Sequence, residues 1–166
     1  QLQKLIDQLR TIQDSFYKEF KITDIYTNSK LFEILIANKL NHKLIPGHSG
    51  ARDGKDETGE YEYKHFKESS SNHSWTFNDF SDATIERLKT CTFVIFAHID
   101  DTNQRPDFDW YYLVPGEIIS KYLFNTTPSI ANTRKMINVS PRQIEGAMGI
   151  RRSYTKDFIS PKNIYA

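Results

Sequence analysis

Residues 91–99, CTFVIFAHI, form a near-continuous apolar run rich in β-branched and aromatic side chains. A strand with one wet face alternates apolar and polar residues. A run without alternation suits a strand buried on both faces, inside a sheet covered by helices. The sequence on either side agrees. Upstream, Ser81 or Asp79 is placed to cap a helix over about residues 82–90. Downstream, residues 100–107 read as a polar turn and 108–114 as a further strand. Pro115 suits the first position of a helix running to about Phe124.

Further out, Leu2, Leu5, Ile6, Leu9, Ile12, Phe16 and Phe20 recur at helical spacing, so residues 2–20 read as an amphipathic helix with one apolar stripe. That helix either packs on its own domain or pairs with a second copy. Asn28 or Ser29 can cap a second helix over about residues 30–41. This helix is apolar almost all round and so is expected to be buried, with Glu33 standing alone in it. Residues 42–45 suit a short strand closed by Pro46-Gly47. Residues 67–76, KESSSNHSWT, suit a polar loop. Residues 134–139 suit a strand, and Ser140-Pro141 starts a short helix ending near Gly146. Helices alternate with strands, so the expected class is α/β (α+β), with a mixed central β-sheet flanked by helices.

Residues 50–66 carry the chemistry. Gly50, Asp53, Gly54, Asp56 and Gly59 favour an irregular turn, and EYEYKHF then alternates like a strand. On that strand Glu62, Lys64 and Phe66 face one way, and Tyr61, Tyr63 and His65 the other. Asp53 followed by Glu62-Tyr63-Lys64 reads as D-x8-E-x-K. Two carboxylates hold a hard divalent cation through oxygen. The cation polarises a phosphoryl oxygen and acidifies water, and a neighbouring lysine steadies the negative charge that develops. Asp56 rivals Asp53 as the first carboxylate. Glu33 is either a partly exposed edge residue or an acid turned toward the same site.

Length, charge and cysteine content bound the remaining classes. At 166 residues the expectation is one domain. Net charge is +1, from 22 basic and 21 acidic residues, so the chain is not a uniformly basic nucleic-acid binder. The charge is uneven. Asp53, Asp56, Glu57, Glu60 and Glu62 cluster in the central turn, while residues 134–162 carry seven basic residues against Glu145 and Asp157. An acidic pocket with a basic segment elsewhere suits a metal site that must meet a polyanion. The single Cys91 allows no internal disulfide and no thiolate metal site, which suits a reducing cytoplasm. The five histidines are scattered, and no pair has helical ligand spacing, so zinc is not expected. No apolar run approaches the roughly 20 residues of a membrane span, and the charged N-terminal helix does not read as a signal peptide.

The chain resembles the type II restriction endonucleases of the PD-(D/E)xK superfamily, nearly from end to end. The resemblance lies in ITDIYTNSKLFEILIANKL, then LIPGHSGARDGKDETGEYEYK, the IFA strand, a Y-x-L-x-P turn into a helix, and a late Ile-Asn-x-x-Pro piece. It implies a single restriction-endonuclease-like domain over residues 1–166, with residues 1–20 as the dimerisation helix. It further implies a homodimer that wraps double-stranded DNA, reads a short palindrome and cuts each strand with Mg2+, leaving 5′-phosphate and 3′-hydroxyl ends. The family's metal-binding carboxylates fall on Asp53 and Glu62, and its lysine on Lys64. Its base-reading segment falls on residues 76–81, TFNDFS, and a tyrosine near its scissile phosphate falls on Lys89. Asn78, Asp79, Ser81, Asn138 and Ser140 are candidates for base edges, each also suited to a cap or turn. Arg142, Arg151 and Arg152 are candidates for phosphates.

Three other readings stay open from sequence. One is a junction resolvase or repair nicking enzyme of the same superfamily. Another is a non-catalytic DNA-binding module whose E-x-K strand is merely solvated. The last is a carboxylate hydrolase using Glu60 and Glu62.

Overall fold

The computed structural model describes residues 1–23, 25–46, 52–127 and 135–159. Gly47 and Gly50, and positions 134 and 162 at the ends of the basic segment, lie outside the described residues. The elements run α1 (Leu2–Phe20), α2 (Asn28–Leu40), β1 (Lys43–Leu44), β2 (Gly54–Lys55), β3 (Glu60–Lys67), β4 (Trp75–Phe80), α3 (Asp82–Lys89), β5 (Phe93–Asp100), β6 (Asp107–Pro115), α4 (Gly116–Thr126), β7 (Lys135–Val139), α5 (Pro141–Gly146) and β8 (Ser153–Tyr154). A 3-10 turn, Thr155–Asp157, follows.

Six strands form one sheet in the order β1-β2-β3-β5-β6-β8. β3 and β5 are parallel, and the other neighbours are antiparallel, so the sheet is mixed. β5 is the unalternated run, and it lies inside the sheet with every residue from Val94 to Ile99 buried. Its side chains divide between two apolar layers. Ile95, Ala97 and Ile99 pack with Phe32, Ile36 and Leu40 of α2 and with Tyr61 and Tyr63 of β3. Val94 and Phe96 pack with Trp75, Phe80, Leu88, Ile119 and Ile144 from the other side. The chain is therefore α+β, a mixed central sheet flanked by helices. No described helix is long and apolar enough to cross a membrane.

Several local expectations change. Thr27, not Asn28 or Ser29, caps α2, its side chain accepting from Lys30 N–H. Leu31 remains 37 % exposed, so α2 is not buried all round. Pro115 ends β6 and caps α4 rather than opening it. The polar loop stops two residues earlier than its spacing suggests, because Trp75 starts β4. Trp75 is fully buried, and its indole N–H donates to Ala97 O at 2.8 Å. β4 pairs with β7 in a separate two-stranded ribbon whose register breaks between Phe77 and Phe80.

The Arg152 side chain is 33 % exposed and is held by aromatic partners within the fold. Its guanidinium lies 3.9 Å from the centre of the Trp110 ring and donates to Tyr112 Oη at 3.2 Å. The other face of Trp110 stacks on His98 at 4.5 Å. The ring nitrogens of His98 in turn meet Asp109 at 2.6 Å and Glu68 at 2.7 Å. Stacking and charge-assisted hydrogen bonds together fix this side chain inside the fold. Trp110 is thus the half-buried middle of a three-layer stack.

Candidate active site

β3 presents Glu62 and Lys64 on one face, as its alternation requires. Lys64 Nζ lies 3.7 Å from Glu62 Oε1 and 4.8 Å from the centre of the Phe77 ring. Contact with the ring and a side-chain exposure of only 24 % restrict the otherwise flexible lysine. Asp53 arrives just before β2. Its backbone N–H donates to Tyr61 O, and its own carbonyl accepts from Ile45 N–H, both at 2.9 Å. The β2–β3 ladder ends at Gly54↔Tyr61. Beyond that end Tyr63 N–H has no strand partner on this side, and it donates to Asp53 Oδ2 at 2.6 Å. The ladder end thereby brings the first carboxylate beside the E-x-K face.

Asp53, Glu62 and Lys64 line one cleft of about 630 Å3, together with Glu33. Glu33 comes from α2 and is ion-paired with Lys30. Its side chain lines the cleft and is 18 % exposed. Asn28, Ser29, Ser70, Asn72, Ser74, Thr76 and Asn78 line the same cleft and make its walls polar.

The electrostatics are those of crowded acids. Burial raises Asp53 to about 7, with Glu62 and then Glu33 adding to the effect against the Tyr63 N–H and Lys64. Burial also raises Glu62, while Lys64, Arg87 and Arg52 pull it back. Ionising these acids in the buried site is therefore costly, and a divalent cation would offset that cost. Mg2+ takes one or two carboxylates and fills its remaining positions with water and substrate phosphate. Asp53 and Glu62 fit that requirement. Among the described residues no group of three or more His, Cys, Asp or Glu side chains could hold a metal ion, and a two-carboxylate site needs none. His65 lines the cleft too, but burial, Lys64 and Lys67 push it down to about 4, so it is neutral at pH 7.

No protein-family model matches this chain, and no curated protein matches it.

The other sequence candidates separate sharply. Asp56 is not in the cleft. It lines a different cavity, and its carboxylate accepts from Tyr61 Oη at 3.0 Å and from Thr58 N–H at 2.8 Å. Between the two candidate first carboxylates, only Asp53 shares the cleft with Glu62. Glu60 is exposed, lies 3.8 Å from Arg52 and does not line the cleft. Lys89 is exposed in the last turn of α3 and does not line the cleft. Asp79 sits at the β4 irregularity with φ 52°. Ser81 is the N-cap of α3, and its N–H donates to Thr84 Oγ1 at 3.2 Å. Ser140 caps α5 in a full capping box with Gln143. Asn138 Oδ1 accepts from Thr76 Oγ1 across the ribbon at 2.7 Å. Arg142 is exposed on α5.

Sequence reasoning missed Ser70, Asn72 and Ser74. The available signal was a run of small polar residues directly after the E-x-K strand, where a loop must turn back along the cleft. Of the candidates in residues 76–81, Asn78 is the one whose side chain lines the cleft. For a cleft that takes DNA, Asn78→Ala is expected to lower discrimination between cognate and non-cognate sites by about 1–3 kcal/mol without changing the melting temperature. Ser81→Ala and Ser140→Ala are expected to do the reverse, each costing about 1 kcal/mol of stability with unchanged discrimination. Paired melting and competition-binding measurements check both statements.

Proposed function

We propose that the chain is a Mg2+-dependent endonuclease of restriction-endonuclease-like fold, cutting double-stranded DNA at a short palindrome as a homodimer. The observation that carries this reading is the convergence of Asp53, Glu62 and Lys64 on one polar cleft, from separate parts of the chain. Asp53 and Glu62 would hold Mg2+. Bound there, the ion supplies Lewis-acid polarisation of a phosphoryl oxygen and acidifies water. Lys64 orients the attacking water and faces the charge that builds on phosphorus. Attack opens the bond to the 3′ oxygen and leaves 5′-phosphate and 3′-hydroxyl ends. The small polar side chains of the cleft walls suit hydrogen bonding to sugar, phosphate and base edges.

The homodimer rests on α1. No residue of this helix is buried, although its stripe is apolar. Leu2, Leu5, Leu9 and Phe20 are each half exposed or more. A two-fold protein matches a two-fold site.

The deciding experiment is incubation with plasmid DNA and Mg2+, followed by sequencing of the ends. Breaks at one fixed palindrome with 5′-phosphate ends are expected. Cutting confined to junction or nicked substrates would instead identify a resolvase or repair enzyme. Metal-independent binding without cutting would identify a binding module.

A further inference from the structure

We infer that His42, Tyr63 and Gly54 form a clamp behind the cleft that positions the Asp53 carboxylate for its metal; this rests on the nuclease reading above. Tyr63 acts on Asp53 twice. Its N–H holds Asp53 Oδ2 at 2.6 Å, and the tip of its phenol closes against the next residue, Gly54. A Cβ on Gly54 would stand 2.0 Å from Tyr63 Oη, 2.8 Å from Cζ and 3.4 Å from His42 Cβ. Glycine is needed there for space: only hydrogen at Cα lets the ring close against the strand.

The phenol is fixed in turn by His42, whose Nδ1 lies 2.7 Å from Tyr63 Oη. A buried hydroxyl without a partner is costly, so this bond sets where the ring lies. His42 has little freedom of its own. Its N–H donates to Ala37 O at the end of α2 at 2.8 Å. Its ring stacks on Tyr61 at 4.0 Å. A rigid chain of contacts thus runs from α2 through His42 and Tyr63 to the backbone beside Asp53. None of the three residues touches the reacting atoms; they act through Asp53 as positioning residues.

The test is direct Mn2+ binding to the full chain, read by the paramagnetic resonance of free Mn2+, beside a melting curve for each variant. Gly54→Ala and His42→Phe are expected to weaken Mn2+ binding by roughly 10-fold or more. His42→Gln, whose amide can still bond the phenol, is expected to stay near the unaltered protein. Where Gly54→Ala does not fold, the contrast between His42→Phe and His42→Gln decides. A merely structural role would lower the melting temperature of His42→Phe and leave Mn2+ binding by the folded protein unchanged; that result overturns the clamp alone. An unaltered protein that binds no Mn2+, with or without DNA, overturns the nuclease reading and the clamp with it.

Discussion

Asp53→Ala and Glu62→Ala are expected to abolish DNA cutting, by roughly 10^3-fold or more, in proteins that still fold. Each removes one of the two carboxylates that would hold Mg2+, and neither removes apolar packing. Asp56→Ala is the control: its carboxylate bonds the β2–β3 turn and Tyr61 in another cavity, so it should keep its catalytic rate. Full activity in either Asp53→Ala or Glu62→Ala would remove that residue from the site.

The same carboxylate has a signature that needs no catalysis. In the folded, metal-free protein burial raises Asp53 from 3.8 to about 7. Between those values the unfolded chain has already lost this proton while the folded chain keeps it. The folded state then binds more protons, so stability falls as pH rises through the window. Below about 3.8 the group contributes nothing, and above about 7 the penalty is complete. Asp53→Asn, which has no charge to bury, should therefore melt higher than the unaltered protein in EDTA at pH 8. The difference should vanish near pH 4. Mg2+ should raise the melting temperature of the unaltered protein and not that of Asp53→Asn. An Asp53→Asn protein that melts lower at pH 8 would contradict this account of the cleft.

The second large effect concerns assembly. Sedimentation at micromolar concentration is expected to give about twice 19.4 kDa. Leu5→Glu with Leu9→Glu is expected to shift this to a single chain. Within one chain both side chains are at least half exposed, so the charges cost the fold little there. In a dimer seam they would be buried without partners, a cost of several kcal/mol. Double-strand breaks should then disappear, leaving at most nicks. A strict monomer that makes full double-strand breaks would rule out the homodimer.

Residues 91–99 specified a two-faced strand, and the fold uses each of its faces as expected. Periodicity placed α1 over residues 2–20, and α1 spans Leu2–Phe20. Alternation put Glu62 and Lys64 on one face of β3, where they stand 3.7 Å apart. These features were legible because they depend on neighbours a few residues away, through hydrogen bonds, rotamers and side-chain direction. The choice between Asp53 and Asp56 was not. Both sit in one acidic turn, and only the end of the β2–β3 ladder delivers Asp53 to Tyr63 N–H and leaves Asp56 to bond Tyr61. Ser81 and Ser140 carried two compatible roles, and helix geometry assigned them as caps. Asn138 found Thr76 across 62 residues, a pairing that no local pattern announces. Arg152 read as a phosphate candidate, and the fold adds Trp110 and Tyr112 as its partners. By itself the sequence determined the strand at the centre, the apolar helix at the start and the chemical groups on β3, since those follow from local periodicity. Only the tertiary structure decided which acids share the cleft and which polar groups are already engaged, because both depend on partners supplied by distant segments.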